Sequence, residues 1–297
     1  MLGKTGRRRN EMPELPETEV IRRYLDRHLR GRRITSVEVR LPRQIKWPDP
    51  QSYCGKASGS VIRSVGRRGK YLLIELEHGR ELVFHLRMTG RLVLEPEGIS
   101  HDPYARILFS LDNGTMLVYG DTRTLGRVYA LEPGERYRIQ GLAAMGPEPL
   151  SKEFTVTYFR NALYGRHVCI KTFLLDQKKI GGIGNIYADE ALFLAGIYPR
   201  RQAGSLSAEE CRHLHAAINQ VIAAGIRDGG TTFRDYRNGE GRRGHHQDFL
   251  YVYHREGEPC RRCGTPIVKE TVGGRGTHYC PHCQPGPADN NGGRASV

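Results

Sequence analysis

Residues 260–283 read CRRCGTPIVKETVGGRGTHYCPHC, and they contain two Cys-x-x-Cys pairs separated by sixteen residues. Four thiolates at this spacing can complete the tetrahedral shell of a zinc ion, and the residues between the pairs then fold back as a β-hairpin. The sequence therefore predicts one structural Zn2+ with the ligands Cys260, Cys263, Cys280 and Cys283. Because four sulfur ligands leave no open position, the metal is not expected to be catalytic, and His278 and His282 are not expected to bind it.

Arg275 lies between the two cysteine pairs, in Gly273-Gly274-Arg275-Gly276, where the tip of the predicted hairpin falls. A glycine-flanked arginine on a metal-stabilised turn can bind a phosphate through its planar guanidinium group. The alternative is a flexible turn that contains an incidental arginine.

The residues that precede the cysteines follow a helical pattern with a glycine-rich interruption. The helical segments are 154–164, 170–176, 186–195 and a last one from the capping box Ser207-x-x-Glu210 to residue 226. Gly181-Gly182-Ile183-Gly184 precedes the third segment, so backbone N–H groups at a helix start could face an anion. No Gly-Lys-Ser/Thr follows, which excludes a nucleotide P-loop. Helix, glycine-rich turn and helix in succession are typical of DNA-docking motifs, and a plain packing turn is the alternative.

The first half of the chain contains one helical pattern followed by alternating apolar and polar residues. The helical pattern runs from Pro16 to Gly31, and Asp112-Asn113-Gly114 is a strong hairpin signal. The alternating segments are 37–41, 72–76, 82–88, 107–111, 115–119 and 127–131. Short strands at this spacing indicate a β-sandwich or barrel with the helix packed against it. The predicted fold class is therefore α+β, with an N-terminal β-sandwich domain and a helical C-terminal domain that ends in a zinc-binding β-hairpin.

Pro13 lies between Met12 and Glu14, directly before the predicted helix. If translation starts at Met12 and this methionine is removed, Pro13 becomes an N-terminal secondary amine. Such an amine can form an iminium with a sugar aldehyde carbon and is then a covalent catalyst. The alternative is a helix start with a proline in its first turn and an acidic residue near the positive end of the helix dipole.

Three further features of the first half could carry chemistry. Lys70 stands among arginines at the start of a predicted strand, where it could bind phosphate or shuttle a proton, or belong to a solvated turn. Met88 ends an alternating segment and could be a wedge between bases, although a buried core methionine is the alternative. The polar loop 121–126 offers Arg123 and an exposed-looking Leu125.

The charge balance favours a polyanionic partner. The chain has 46 Lys and Arg residues against 32 Asp and Glu residues, a net charge of +14 and a pI near 9.6. Seven cysteines, four of them clustered, suit a metal site in a reducing cytoplasm better than a disulfide framework. No long apolar run predicts a membrane span, and residues 1–11 lack the apolar segment of a secretory signal. We expect a monomer without a nucleotide cofactor.

These patterns predict a chain of several segments. They are an N-terminal extension (1–11), a β-sandwich domain (12–140), a linker (141–152), a helical DNA-binding domain with a long polar loop (153–248), a four-cysteine hairpin (249–284) and a disordered tail (285–297).

Taken together, the motifs resemble those of bacterial formamidopyrimidine-DNA glycosylases, a family that removes 8-oxoguanine and ring-opened purines from DNA. The segments that carry the resemblance occur in the family's order: MPELPE (12–17), RRGKYL (67–72), HLRMTGRL (85–92), DTRTLGR (121–127), GIGNIYADEALF (182–193), EPCRRCGTPI (258–267) and GRGTHYCPHCQ (274–284). The resemblance implies a helix-two-turn-helix motif in the C-terminal domain and damaged double-stranded DNA as partner.

The resemblance also implies roles for individual residues. Pro13 would attack C1′ of the damaged nucleotide and form a Schiff base, and Glu14 would protonate the sugar ring oxygen. Lys70 would assist β-elimination, and Arg275 would assist δ-elimination. The positions that match DNA contacts are His101, Arg123, Arg166, Lys171 and Asn185, and the positions that match the fillers of the space left by the displaced base are Met88, Arg123 and Leu125.

The chain departs from the family's pattern at several positions. Leu125 stands where phenylalanine is usual, which puts the preference for the opposite base in doubt, and Arg166 stands where lysine is frequent. The extension 1–11 would leave Pro13 as an amide that cannot attack a sugar, so we expect translation from Met12 or removal of residues 1–12. The alternatives are an endonuclease VIII-like enzyme for oxidised pyrimidines, a group that typically begins PEGPE, and a non-catalytic DNA-binding protein with a blocked N-terminus.

Overall fold

The computed structural model describes residues 12–96 and 100–286. The predicted extension 1–11 and residues 287–297 of the predicted tail lie outside the described residues. The chain divides into two units, Met1–Met145 with Ala223–Phe249 and Gly146–Ile222 with Leu250–Val297. The change from the first unit to the second falls inside the predicted linker 141–152.

The first unit is a β-sandwich with helices at its edge. Its helices are α1 (Leu15–Leu29), α2 (Pro50–Ala57) and α3 (Gln140–Ala143). Its strands are β1 (Ile34–Val39), β2 (Ile45–Trp47), β3 (Ile62–Arg68), β4 (Tyr71–Leu76), β5 (Glu81–His85), β6 (Gly90–Glu95), β7 (Ala105–Leu111), β8 (Met116–Asp121) and β9 (Arg127–Leu131). One sheet has the strand order β1-β7-β8-β6 and the other has the order β2-β9-β5-β4-β3. Neighbouring strands are antiparallel except for β2 and β9.

The core of the sandwich joins the inner faces of both sheets. Phe84 of β5 packs against Phe109 of β7 and Tyr119 of β8, with ring centroids 6.0 and 5.7 Å apart. Helix α1 adds the fully buried Ile21 and Leu25, which recur at helical spacing. Alternation in the strands therefore places one apolar face of each sheet inside, and the predicted β-sandwich with a flanking helix is confirmed.

The second unit contains helices and a two-stranded hairpin. Its elements are α4 (Val156–Leu163), α5 (Ile170–Leu174), α6 (Asn185–Leu194), α7 (Ala208–Arg227, whose last turn belongs to the first unit), β10 (Val268–Val272) and β11 (Arg275–Tyr279). The predicted capping box begins α7, because the Glu210 N–H donates to Ser207 Oγ at 3.2 Å and the Ser207 N–H donates to Glu210 Oε2 at 2.8 Å. Gly273 and Gly274 have φ values of 54° and 74° and form the two-residue turn of the hairpin.

The sequence-based boundaries placed residues 223–248 in the helical domain and residue 249 in the four-cysteine hairpin. These residues cluster with the sandwich instead. The Leu94 N–H donates to Gly239 O at 3.0 Å, and the Tyr236 side chain belongs to the core that both sheets build. The segment has no long apolar run, so the sequence did not show that one aromatic residue and a few backbone bonds attach it to the sandwich.

Candidate active site and nucleic-acid interface

The start of α1 fixes the backbone of Glu14. The Glu14 N–H donates to Glu17 Oε2 at 2.9 Å, and Glu14 O accepts from the N–H and the hydroxyl of Thr18 at 3.0 and 2.8 Å. Pro13 is buried and Glu14 is 4% exposed. The helix start predicted from Pro16 is therefore present, and it holds Pro13 and Glu14 in one defined place.

Glu17 connects this helix start to the polar segment of the first unit. Its Oε1 accepts from the Thr231 N–H at 2.7 Å, while Oε2 holds Glu14. The Tyr236 hydroxyl donates to the backbone oxygen of Glu17 at 3.3 Å. Glu17 thus joins Thr231 and Tyr236 to the start of α1, a contact that the sequence did not predict.

Lys70 lies in the turn between β3 and β4 and is 8% exposed. Arg67 donates to Gly69 O at 3.0 Å from one nitrogen and to Glu19 of α1 at 3.1 Å from another. Burial alone would raise the pKa of Glu19, but hydrogen bonds from Arg22 and Arg23 and the charge of Arg67 lower it to about 2. The ionised Glu19 therefore ties the turn that bears Lys70 to α1.

His85 is a residue of this region that the sequence analysis missed. It ends β5, is 7% exposed, and packs edge-on against Tyr71 with ring centroids 4.5 Å apart. Burial first, and then the charges of Arg87, Lys70 and Arg127, lower the pKa of His85 to about 3, so the imidazole is neutral. Its Nδ1 has no hydrogen-bond partner among the described residues. The signal was a histidine at the end of an apolar alternation, as the first residue of the segment HLRMTG.

A buried carboxylate organises loop 121–126. Asp121 is fully buried; its Oδ1 accepts from the Thr89 hydroxyl at 2.6 Å, and its Oδ2 accepts from the Gly126 N–H at 2.8 Å. Gln44 donates to Oδ2 at 2.7 Å, and the Arg123 N–H donates to Oδ1 at 3.2 Å. The loop is therefore held from beneath by donors that carry no charge.

The residues that were predicted to fill the space of a displaced base lie close to this loop. Arg123 is exposed, and its Nη1 lies 3.9 Å from Met88 Sδ. Leu125 is 42% exposed on the same loop. Met88 is half-buried and lies beyond the end of β5, in the turn before β6, so it does not end a strand as its pattern suggested.

One exposed aromatic residue of the first unit is a candidate DNA contact in addition to the predicted ones. His101 is exposed, as expected for a DNA contact. Tyr104 nearby in the chain is 42% exposed, and the guanidinium groups of Arg91 and Arg106 lie 6.0 and 5.7 Å from its ring centroid. An aromatic ring flanked by arginines can contact nucleic acid, but the single tyrosine gave no periodic signal in the sequence.

In the second unit, Asn185 begins α6 directly after the glycine-rich turn. Its Nδ2 donates to Gly276 O at 2.9 Å and to the Tyr253 hydroxyl at 3.2 Å. Its Oδ1 has no hydrogen-bond partner among the described residues. The structure thus brings Asn185, the missed Tyr253 and the hairpin strand that bears Arg275 together. Arg275 is exposed, and it follows the two-glycine turn as the first residue of β11.

Arg166 and Lys171 occupy contrasting environments. Arg166 is exposed, as expected for a DNA contact. Lys171 is fully buried, and its Nζ lies 2.6 Å from Asp189 and donates to Gly276 O at 3.0 Å and Thr277 Oγ1 at 2.8 Å. Because this side chain has no exposed surface, nothing in this structure supports the expectation that Lys171 contacts DNA, and it stays a prediction. Its ammonium group supports the hairpin strand from inside.

The four predicted metal ligands form one cluster at the base of the hairpin. The sulfur atoms of Cys260, Cys263, Cys280 and Cys283 all lie within 4.8 Å of one another. Three of the separations are 3.5, 3.5 and 3.9 Å, near the edge of about 3.8 Å that zinc–sulfur bonds of about 2.3 Å give in a tetrahedron.

The surroundings of the cluster also fit a metal. The backbone N–H groups of Arg262 and Cys283 donate to Cys260 Sγ and Cys280 Sγ, each at 3.4 Å, and such bonds stabilise thiolates. Arg262 further stacks on Phe193 of α6, with its guanidinium carbon 4.5 Å from the ring centroid. The residues present therefore fit one structural Zn2+.

Comparisons with known proteins assign the chain to a family. Family models match residues 12–128 (formamidopyrimidine-DNA glycosylase N-terminal domain), 145–237 (formamidopyrimidine-DNA glycosylase H2TH domain) and 257–286 (zinc finger found in FPG and IleRS). A formamidopyrimidine-DNA glycosylase of Symbiobacterium thermophilum is 49% identical over 276 residues, which cover 93% of this chain and 90% of that protein. The chain belongs to the formamidopyrimidine-DNA glycosylase family. The family enzyme of Bacillus subtilis is 44% identical over 274 residues, covering 92% of this chain and 99% of that one.

Solved structures of family members have the same fold. The MutM (Fpg) protein of Thermus thermophilus gives a TM-score of 0.84 at 42% identity, covering 93% of this chain and all of that one. The Lactococcus lactis Fpg, in complex with DNA that contains an abasic site, gives 0.86 at 34% identity and covers 92% and 100%. The predicted fold class and the structural zinc of a DNA-repair glycosylase are thereby confirmed. No helix among the described residues is long and apolar enough to cross a membrane.

Proposed function

We propose that this chain excises oxidised purines from double-stranded DNA and then cleaves the strand at the resulting abasic site, with Pro13 as the covalent nucleophile. Membership in the glycosylase family supports base excision. Related proteins have been solved with Fapy-dG DNA, with abasic DNA and with carbocyclic 8-oxo-G DNA. The observation that carries the proposal is the placement of Pro13 directly before the fixed backbone of Glu14 at the buried start of α1.

The chemistry needs an amine, an acid and a base displaced from the duplex, because C1′ of a stacked nucleotide cannot be reached. The Pro13 nitrogen bonds to C1′ and gives up its proton, while the bond from C1′ to the damaged base breaks and the base leaves with that proton. Glu14 donates a proton to the ring oxygen as the sugar opens, which leaves an iminium between Pro13 and C1′. The iminium acidifies the C2′ proton; its removal expels the 3′ phosphate, and a second elimination expels the 5′ phosphate.

Two cations assist these eliminations in our proposal. Lys70 lies in the turn that Arg67 and Glu19 tie to α1, and Arg275 stands exposed after the hairpin turn. Both can bind the phosphate groups on either side of the lesion and stabilise the leaving groups. The exposed side chains of His101, Arg123 and Arg166 and the amide of Asn185 would hold the remaining DNA backbone, in agreement with the net charge of +14.

The experiment compares a protein that begins at Pro13 with the chain that retains residues 1–12. Each is mixed with a duplex that contains 8-oxoguanine, borohydride is added to reduce an iminium, and a covalent protein–DNA adduct is sought on a denaturing gel. We expect an adduct only with the protein that begins at Pro13, because an internal proline nitrogen is an amide. Full activity of a protein that keeps residues 1–12, verified by intact mass, would contradict the proline mechanism.

A second duplex in the same assay distinguishes the substrate classes. One Lactococcus lactis complex contains an oxidised pyrimidine, so a duplex with an oxidised pyrimidine is the natural comparison. We expect faster adduct formation with 8-oxoguanine. Faster reaction with the pyrimidine would favour the endonuclease VIII-like alternative, and lesion binding without any adduct would favour a non-catalytic DNA-binding protein.

A further inference from the structure

The chain directly before His254 is held against α6 by one buried carboxylate, that of Glu190, which is 2% exposed. The Tyr251 N–H donates to Glu190 Oε2 at 2.8 Å, and the N–H groups of the next two residues, Val252 and Tyr253, donate to Oε1, both at 2.9 Å. Buried backbone N–H groups are costly to leave without a partner, so three bonds to one side chain define the path of this segment. His254 therefore has a fixed position beside α6.

The backbone of His254 is in the left-handed region, with φ at 60°. A glycine adopts this conformation without strain, whereas a residue with a Cβ atom adopts it at a cost in free energy. The imidazole is exposed, and it stacks on the ring of His278 with centroids 5.5 Å apart and an interplanar angle of 28°. Strained residues of this kind are concentrated at sites that bind ligands.

His254 lies next to groups that are expected to contact DNA. Its ring centroid is 4.9 Å from that of Tyr253, whose hydroxyl accepts from Asn185 Nδ2 at 3.2 Å. The ring on its other side, His278, belongs to β11, the strand that begins with Arg275. A single ring thus separates His254 from Asn185. Because a DNA strand presents phosphates at a regular short spacing, a surface that binds one phosphate at Asn185 brings neighbouring phosphates close as well.

We propose that His254 is a further DNA contact of the second unit, and that its imidazole donates an N–H to a backbone phosphate near the one at Asn185. The inference rests on the proposed function, in which Asn185 and Arg275 bind DNA. An imidazole has an N–H donor in either charge state, so the contact needs no particular protonation. The stack on His278 restricts the ring before DNA arrives, so little side-chain freedom is lost on binding.

The test compares His254→Gly with His78→Gly in protein that begins at Pro13. His78 is the matched control, because it is exposed, has a φ of 62° and lies between β4 and β5, at the other end of β4 from Lys70. Dissociation constants are measured for an undamaged duplex and for one with a tetrahydrofuran abasic analogue, which Pro13 cannot attack. We expect His254→Gly to weaken binding of both duplexes at least about tenfold, the effect of losing one hydrogen bond to a charged group.

The same variants distinguish a lost contact from damage to the fold. His254→Gly should keep its zinc, and its midpoint of urea unfolding should not fall, because glycine relieves the backbone strain. His78→Gly should bind both duplexes like wild type. Wild-type affinity in His254→Gly, or a loss of its zinc, would overturn the inference. If wild type binds neither duplex, the proposed function fails instead.

A scan of the DNA backbone then tests whether the contact is direct. Single phosphates of the duplex are replaced by neutral methylphosphonates, one position at a time. At one position, wild type and His78→Gly should lose affinity while His254→Gly loses none, because the contact is already absent from that variant. If His254→Gly is as sensitive as wild type at every position, His254 does not contact a phosphate and the inference is wrong.

Discussion

The β-sandwich and the zinc-binding hairpin both present polar side chains on short turns, but different forces hold the two regions in place. The turns of the sandwich are supported by a hydrophobic core that includes residues of both sheets and α1. The hairpin is supported by a small hydrophobic cluster, whose buried members are Phe193, Val252, Cys260, Ile267 and Cys280. A region that buries so little apolar surface needs another source of stability. The hairpin obtains it from the metal and from buried polar contacts.

The buried carboxylates show the same difference. Asp121 of the sandwich receives its hydrogen bonds from amide and hydroxyl groups without charge. Asp189 of the second unit lies 2.6 Å from the ammonium group of Lys171 and also accepts from the His278 N–H at 2.8 Å. Neutral donors can be lost one at a time, whereas removal of one member of a buried ion pair leaves a charge without compensation. The two regions should therefore respond very differently to substitution.

Removal of a zinc ligand should have the largest effect, and the effect should be confined to the hairpin. Structural zinc contributes about 10–16 kcal/mol to small zinc-dependent folds. We expect Cys280→Ser to lose zinc, measured by atomic emission, to lose hydrogen-exchange protection in β10 and β11, and to lose DNA binding. Protection in β7 and β8 should remain.

Cys54→Ser is the matched control, because Cys54 belongs to α2 and lies outside the metal cluster. This variant should keep its zinc and its DNA affinity. Loss of protection in both regions of Cys280→Ser would show that the sandwich also depends on the metal and would break the comparison. DNA binding by a metal-free protein would show that the hairpin is not part of the interface.

Local signals explain which features could be predicted from the sequence. The start of α1, the capping box at Ser207, the turn at Gly273 and the cysteine cluster each depend on residues a few positions apart, so the sequence determines them directly. The alternating strands predicted a sandwich, but no pattern in a single strand specifies which strands become neighbours, such as β9 next to β5.

Contacts between distant segments explain what the sequence could not reveal. Lysine is a residue type that often contacts DNA, and only the short distances from Lys171 to Asp189 and Gly276 show that this lysine is internal. The attachment of residues 223–249 to the sandwich depends on Glu17 and Tyr236, which are more than two hundred residues apart. Each of these partners is a common residue without a spacing rule that would identify it.

The second prediction concerns Lys171, because removing its ammonium group would leave the buried charge of Asp189 without a partner. We expect Lys171→Met to destabilise the protein by about 3–5 kcal/mol, because Asp189 would remain buried without its cation. Urea unfolding followed by hydrogen exchange in β11 measures the loss. Changing both partners, as in Lys171→Met with Asp189→Leu, should recover much of the stability. If Lys171→Met unfolds like wild type but loses DNA affinity, the lysine contacts the phosphate after all, and the ion pair does not distinguish the two regions.

The smallest effect is expected where the sandwich itself uses charge, at Glu19. Its pKa is lowered to about 2 from an ordinary 4.5, so the unfolded chain binds this proton more readily than the folded protein does. The carboxylate therefore contributes its full stability above pH 4.5 and loses it as the pH falls toward 2. The shift corresponds to at most about 3 kcal/mol, and partial exposure of the partner arginines reduces it.

The measurement for Glu19 is the free energy of unfolding against pH, for wild type and Glu19→Gln. We expect a constant difference above about pH 5, and a convergence of the two curves below it as wild type loses the contribution that the glutamine variant never had. Curves that stay parallel from neutral pH to pH 2 would show that Glu19 titrates alike in the folded and unfolded chains. The sandwich would then gain no stability from the charge of Glu19, and its contrast with the ion-paired, metal-bound hairpin would be sharper than the structure indicates.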